Sequence, residues 1–321
     1  YTIVPYSRSR LPDLLGLVSR NARDRWPLVG YLMNSDVAWQ LPGSAPKENI
    51  RLWYDDQGLA AYAWFQPNSP VTFDVRCDID VDSTLGIEAV DWIVQRTREF
   101  PRCEPWLVPL TSMAQWEQAL TEERINLPSP EWSVQIFSMD TDAPRNALLE
   151  RLGFEPTAHF EFKLTRSLEK TIPAPALPNG VRLRHVEPPD FEERVATHRD
   201  AWFKSGFTMD RYLRVRAIPE FVPELDIVAE DQNGTFGSYC IGWVDHDMGV
   251  GSFEPVGTRP AYRRMGLGQA VNYEGLRRMK AMGMHSAKIG TAGFNDRAFG
   301  LYTSCGFELV DKERTWLKRI G

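Results

Sequence analysis

Phe253-Glu254-Pro255-Val256-Gly257-Thr258-Arg259-Pro260-Ala261-Tyr262-Arg263-Arg264-Met265-Gly266-Leu267-Gly268 is the stretch whose reading decides the fold. A strand-like run gives way to a basic loop punctuated by glycine. Residues 267–282 then carry Leu267, Ala270, Val271, Leu276 and Met279 at helical spacing. Strand, basic glycine loop and helix start, in that order, suit a pyrophosphate. The first amides of a helix point outward with partial positive charge, and glycine lets backbone approach an oxygen cluster with no Cβ in the way. Arg263 and Arg264 add charge that phosphates can use. A dinucleotide-binding loop would need GxGxxG directly after the strand, and position 271, where the third glycine would stand, is Val.

Working outward, residues 181–186 alternate like a strand, 190–202 read as a helix, and 225–229, 237–244 and 249–256 as strands, the last two flanking a turn that contains Asp245 and Asp247. A strand near 287–291 precedes a second helix over 295–304, closed by Gly306. Residues 307–310 and 315–318 are expected to finish as an antiparallel pair. The N-terminal half echoes this ending. Asp142, Arg145, Leu148, Leu149, Gly153 and Phe154 have the spacing of Asn295, Ala298, Leu301, Tyr302, Gly306 and Phe307, which suggests an internal duplication.

The loop resembles motif A of the GNAT acetyltransferase superfamily, with the pattern [R/Q]-x-x-G-x-[G/A] met by Arg263, Gly266 and Gly268, and the segment from Asn295 to Phe307 is similar to that family's motif B. The resemblance implies two tandem α/β units, each a mixed, mostly antiparallel sheet flanked by helices, as in mycothiol-synthase-like proteins. It implies acetyl-CoA as acyl donor. Backbone groups of Val256 and Thr258 would meet the pantetheine amides. The backbone of Arg264, Met265, Gly266, Leu267, Gly268 and Gln269 would hold the pyrophosphate with Arg263 beside it, and Asn295, with Ala298 a turn further on, would contact the pantetheine arm. Tyr302 sits where similar enzymes protonate the departing sulfur. Glu254, two residues before Val256, is the candidate general base, acting directly or through water; Pro255 suits a bulge where two parallel strands splay. Cys305 has no histidine near it in sequence and reads as a packed thiol. Trp202, Phe203, Phe207, Met209 and Tyr212 would be either core or acceptor-site wall.

In the N-terminal half the corresponding loop reads Asp78-Ile79-Asp80-Val81-Asp82-Ser83-Thr84-Leu85-Gly86. Its aspartates would repel a pyrophosphate, it has no arginine, and Leu149 stands in place of the tyrosine. Residues 1–164 are therefore expected to be a degenerate copy and 181–321 the catalytic unit. Between them lies a linker over 165–180, whose Pro173, Pro175, Pro178, Asn179 and Gly180 continue neither helix nor central strand.

The bulk numbers set outer bounds. A chain of 321 residues exceeds what one core usually serves. A formal charge of -6 and no basic stripe argue against nucleic acid as partner, and no apolar run is long enough to span a bilayer. Tyr1-Thr2-Ile3-Val4-Pro5 lacks the parts of a secretory signal, so a cytoplasmic location is expected. Cys77, Cys103, Cys240 and Cys305 are scattered and the five histidines form no ligand spacing, so no metal site is expected. The expected activity is transfer of acetyl to the primary amine of a small molecule. A non-catalytic acyl-CoA sensor or interaction module, or a protein N-terminus or lysine as acceptor, remains open, as does the oligomeric state.

Overall fold

The computed structural model describes residues 1–27, 31–32, 34, 36–37, 41, 47–65, 71–99, 133–202 and 205–320; Cys103 and Phe203 lie outside them. The N-terminal half runs β1 (Thr2–Pro5), α1 (Leu11–Asp24), β2 (Ile50–Asp55), β3 (Gly58–Trp64), β4 (Thr72–Val75), α2 (Thr84–Glu99), β5 (Ser133–Met139), α3 (Ala143–Arg151) and β6 (Glu155–Ser167). The C-terminal half repeats this order: β7 (Arg182–His185), α4 (Phe191–Ala201), α5 (Met209–Arg216), β8 (Asp226–Glu230), β9 (Phe236–Asp245), β10 (Val250–Thr258), α6 (Leu267–Ala281), β11 (Ser286–Ala292), α7 (Asp296–Ser304) and β12 (Glu308–Arg319).

The duplicated spacing has a capping explanation. Asp142 caps α3 by accepting from the Arg145 amide at 3.2 Å, and Asn295 caps α7 by accepting from the Ala298 amide at 3.1 Å. At the other end Gly153 and Gly306 take φ of 80° and 82°. The next amides turn back, Phe154 N–H to the Leu149 carbonyl and Phe307 N–H to that of Tyr302. One chain solution is thus written twice, 153 residues apart.

The halves are interlocked. Strands β1-β2-β3-β4 form one sheet, and the other runs β5-β12-β6-β11-β10-β9-β8-β7. Each half therefore lends its last strand to the other: β6 pairs with β11, and β12 with β5. Cores follow the strands. Leu164 of β6 is buried with the α6 and α7 side chains, and Trp316 and Ile320 lie in the core of Phe73, Trp92 and Ile93. A division at residue 164 passes through β6.

The expected pair over 307–310 and 315–318 is one unbroken strand, β12. Asp311, Lys312, Glu313 and Arg314 between them supply no glycine, proline or asparagine for a turn, and β5 and β6 flank the strand on both sides. No helix among the described residues is long and apolar enough to cross a membrane.

Candidate active site

The site is built where β10 and β11 part. They pair in parallel from Val250 with Ser286 to Ser252 with Lys288, and no rung follows. On the other edge of β10 the register against β9 moves from Phe253 with Gly242 to Val256 with Cys240, so β10 carries one extra residue at Glu254–Pro255. The indole of Trp243 steadies this bulge by donating to the Glu254 carbonyl at 2.7 Å. Proline, which has no N–H, and the bulge together end the parallel ladder and open a gap between the two strands.

At the mouth of the gap Arg263, Arg264, Met265 and Gly266 are exposed. Arg264 and Gly266 have φ of 67° and 79°, a succession that turns backbone amides toward one side. Helix α6 begins at Leu267, and among the described residues the first amide after the loop to find a backbone acceptor is that of Ala270, which donates to the Gly266 carbonyl. Amides 264–269 thus face outward as a cradle. A Cβ at Gly266 would meet nothing within 4 Å, so space for a ligand remains, whereas one at Gly268 would press on Leu301 and Thr258. These residues fit a pyrophosphate. Of the other expected contacts, Thr258 shares a hydrogen bond with Ser238, Gln269 donates to Ser304, and the Asn295 oxygen is engaged in capping, as is the Ala298 amide. The Asn295 Nδ2 is the part of that side chain left for a ligand.

Glu254 and Tyr302 come together inside the gap. The Glu254 carboxyl is half-buried and makes no hydrogen bond or ion pair with the described residues. Burial first, and then the charges of Asp36 and Glu161, raise its pKa to about 8, with Lys163 and Lys288 offsetting part of the shift. Tyr302 is buried at 7% exposure and packs edge-on against Phe307. Burial and then the Glu254 charge push its phenol above the ordinary range, so it stays protonated.

Four charged residues that carry no local sequence pattern belong to this setting. Alternation along β6 puts Glu161 and Lys163 on the face away from Phe162 and Leu164, and the register sets Glu161 opposite Glu313 of β12. Lys163 Nζ bonds Glu313 at 2.7 Å and Glu161 at 3.1 Å. Although burial opposes it, these carboxylates hold the ammonium charged. Lys288 stands at the last rung before the splay, its ammonium 3.7 Å from Asp36. Asp36 and the β6 residues come from the N-terminal half, so both halves wall the site. The pattern that could have exposed them is the interruption of a buried strand, Lys288 between Ala287 and Ile289, by one long cation.

The remaining expectations resolve individually. Phe207 is buried against His198, whose own pKa burial lowers to about 3, and Tyr212 is buried against Phe207, so both are core; Trp202 is 41% exposed. Arg211 of α5 lies close enough to Glu254 to feel its charge. Cys305 is buried, and burial pushes its thiol up to about 12, the condition of a packed group. Asp245 shapes its turn by accepting from Met248 N–H. It also receives Ser19 at 2.6 Å and Asn34 at 2.9 Å from the other half.

The equivalent gap of the N-terminal half is filled. There Val71, just before β4, forms a single parallel bridge with Ile136 of β5. Arg145, the counterpart of Ala298, donates to the Phe137 carbonyl at 3.1 Å and the Phe73 carbonyl at 3.0 Å. Its guanidinium lies 3.9 Å from the Tyr31 ring and 3.8 Å from that of Phe73. The aspartate loop folds onto the start of α2 so closely that a Cβ at Gly86 would lie 1.8 Å from the Val81 carbonyl oxygen.

Residues 191–307 match the sequence model of the Acetyltransferase (GNAT) family. Mycothiol acetyltransferase of Thermobispora bispora is 30% identical over 179 residues, which is 52% of this chain and 59% of that protein. The same-named protein of Frankia alni is 29% identical over 211 residues, 61% of this chain and 62% of its own. The chain thus spans less than two thirds of the length of these relatives. Among solved structures, a tandem GNAT protein from the clavulanic acid biosynthesis pathway superposes with a TM-score of 0.64 at 13% identity, covering 100% of this chain and 98% of that one. A GCN5-related N-acetyltransferase from Sphaerobacter thermophilus gives 0.61 at 19% identity, covering 100% and 96%. Duplicated capping, the bulged splay, the amide cradle and these likenesses agree: residues 191–307 form a domain of the Acetyltransferase (GNAT) family, and the chain as a whole has the fold of the tandem GNAT protein.

Proposed function

We propose that the C-terminal unit transfers an acetyl group from acetyl-CoA to the primary amine of a small molecule in a direct ternary complex. The observation that carries this reading is the proximity of Glu254 and Tyr302, neither hydrogen-bonded through its side chain to a described residue, beside a loop whose amides 264–269 have no backbone acceptor among the described residues. An acceptor amine arrives as an ammonium and must lose a proton before it can attack. A carboxylate of pKa about 8 is matched to take that proton near neutrality, directly or through one water. The amine nitrogen then bonds the acetyl carbon, the carbonyl electrons move onto oxygen, and the Val256 N–H is the candidate donor to that oxyanion. As the tetrahedral centre collapses, the carbon–sulfur bond breaks, the nitrogen sheds its second proton to become the amide, and the departing thiolate takes up a proton to leave as the free thiol. Tyr302 is a hydrogen-bond donor to that sulfur; its raised pKa makes it a stabiliser of the thiolate before it is a proton source.

The N-terminal unit on this reading binds no acyl-CoA, because Arg145 and the Val81 carbonyl stand where ligand would. The test is thiol release from acetyl-CoA with a panel of amines, with the N-acetylated product identified by mass. Amine-dependent release with product is expected. Binding of acetyl-CoA with no transfer to any amine would favour a sensor and end the enzyme reading.

A further inference from the structure

Beside the splay of β10 and β11 stand an acid and a base, Glu254 and Lys288, that the described residues leave without a hydrogen-bond partner. Lys288 has a side chain only 13% exposed, yet its ammonium makes no hydrogen bond among the described residues, and its nearest acid, Asp36, is 3.7 Å away, beyond hydrogen-bond range. Lys163, on the adjacent strand β6, shows what a finished ammonium looks like here, with carboxylates at 2.7 and 3.1 Å. Glu254 is the complementary case, a half-buried carboxyl with no donor among the described residues. The two do not pair with each other, although each feels the other's charge. They are neighbours by construction: Lys288 faces Ser252 on the last parallel rung, and Glu254 is two residues further along β10.

We infer that the acceptor is an amine that also carries a carboxylate, its amino group directed to Glu254 and its carboxylate to Lys288: an amino acid or a small derivative that keeps that carboxylate. The inference rests on the acetyl-transfer reading above. Burying a donor or acceptor without a partner is penalised, and a zwitterion satisfies both sites at once. A neutral-tailed amine satisfies Glu254 and leaves Lys288 wanting, the situation in which polar sites discriminate most strongly. A monoanion suits the surroundings better than a phosphate dianion, because Asp36, Glu161 and Glu313 leave no surplus positive charge around Lys288 and Lys163.

The experiment compares, on the full chain, acetylation of a set of amino acids, their carboxamides and the corresponding decarboxylated amines. The carboxamides are less basic at nitrogen than the acids and the decarboxylated amines more so, so a preference over both cannot come from amine basicity. Wild type is expected to prefer the acids by roughly 10- to 100-fold in kcat/KM, the range for one charge-assisted hydrogen bond. Lys288→Met is expected to bring the ratio of acid to carboxamide near one, and Lys288→Arg, which keeps the charge, to retain part of it, with thermal melts showing both variants folded. Equal use of acids and neutral amines by wild type, or a preference that survives Lys288→Met, overturns the inference and leaves acetyl transfer standing. Bound acetyl-CoA with transfer to none of these amines overturns both.

Discussion

The two units carry the same capped helix, the same left-handed glycine and the same parallel-strand gap, and they part company over one side chain. Position 145 is arginine and position 298, its counterpart, is alanine. In the first unit the guanidinium crosses the gap and bonds a carbonyl on each strand; in the second no described side chain does so, and Glu254 and Tyr302 lie near each other without a hydrogen-bond partner among the described residues. The loops diverge in the same sense, one folded down on its helix under three aspartates, the other raised with its amides free. A duplicated fold can keep its scaffold and give up its site by filling it, and the filled copy still serves. It lends β6, Glu161, Lys163 and Asp36 to the working copy.

Removing the base should break the comparison most sharply. Glu254→Gln is expected to lower kcat/KM by roughly 10²- to 10⁴-fold. In wild type kcat/KM should climb as pH rises through about 8, because only the ionised carboxylate accepts the proton, and in the variant that rise should vanish. A pH profile unchanged by the substitution would show that another group is the base. The stability sign is fixed by the same shift. The folded carboxyl holds its proton to about 8 against 4.5 ordinarily, so wild type should lose stability relative to Glu254→Gln between those values. Tyr302→Phe, whose counterpart in the filled unit is Leu149, should reduce kcat about 10- to 100-fold with little change in KM, as expected for a contact made mainly in the transition state. An equal loss in KM would make the residue a binder.

The filled unit gives the next test. Arg145→Ala should destabilise the chain by about 3 kcal/mol in urea unfolding, since it strands two buried carbonyls and leaves a void beneath Tyr31 and Phe73. A change below about 0.5 kcal/mol would show that the guanidinium is not what closes the gap. The smallest effect is expected at Cys305. Cys305→Ala should leave kcat within about two-fold, and a large loss would reinstate the thiol that burial argues against.

Much of the second unit was legible in sequence because its chemistry is local. Gly266 and Gly268 beside Arg263 announce the glycine loop that opens α6, and Asn295 and Gly306 announce the two ends of one helix. The interlocking was not legible, because nothing in β6 or β12 says which strand each will pair with; period-2 alternation fixes a face and leaves the partner open. The expected hairpin over 307–318 failed for that reason, an ordinary local solution displaced by two long-range partners. Lys288 and Lys163 were hidden for a related one. A lysine on a strand reads as a solvated edge until the sheet closes around it, and the strands that enclose Lys163, β11 and β12, come from the other half of the chain.

The central claim, one open and one filled unit, is tested most directly by titrating acetyl-CoA calorimetrically into wild type, Gly266→Glu and Asp82→Arg and counting sites per chain. One site is predicted in wild type and in Asp82→Arg, and none in Gly266→Glu, where a side chain and a negative charge would enter the cradle at a φ of 79°. Two sites in wild type, or one that survives Gly266→Glu, would contradict the account.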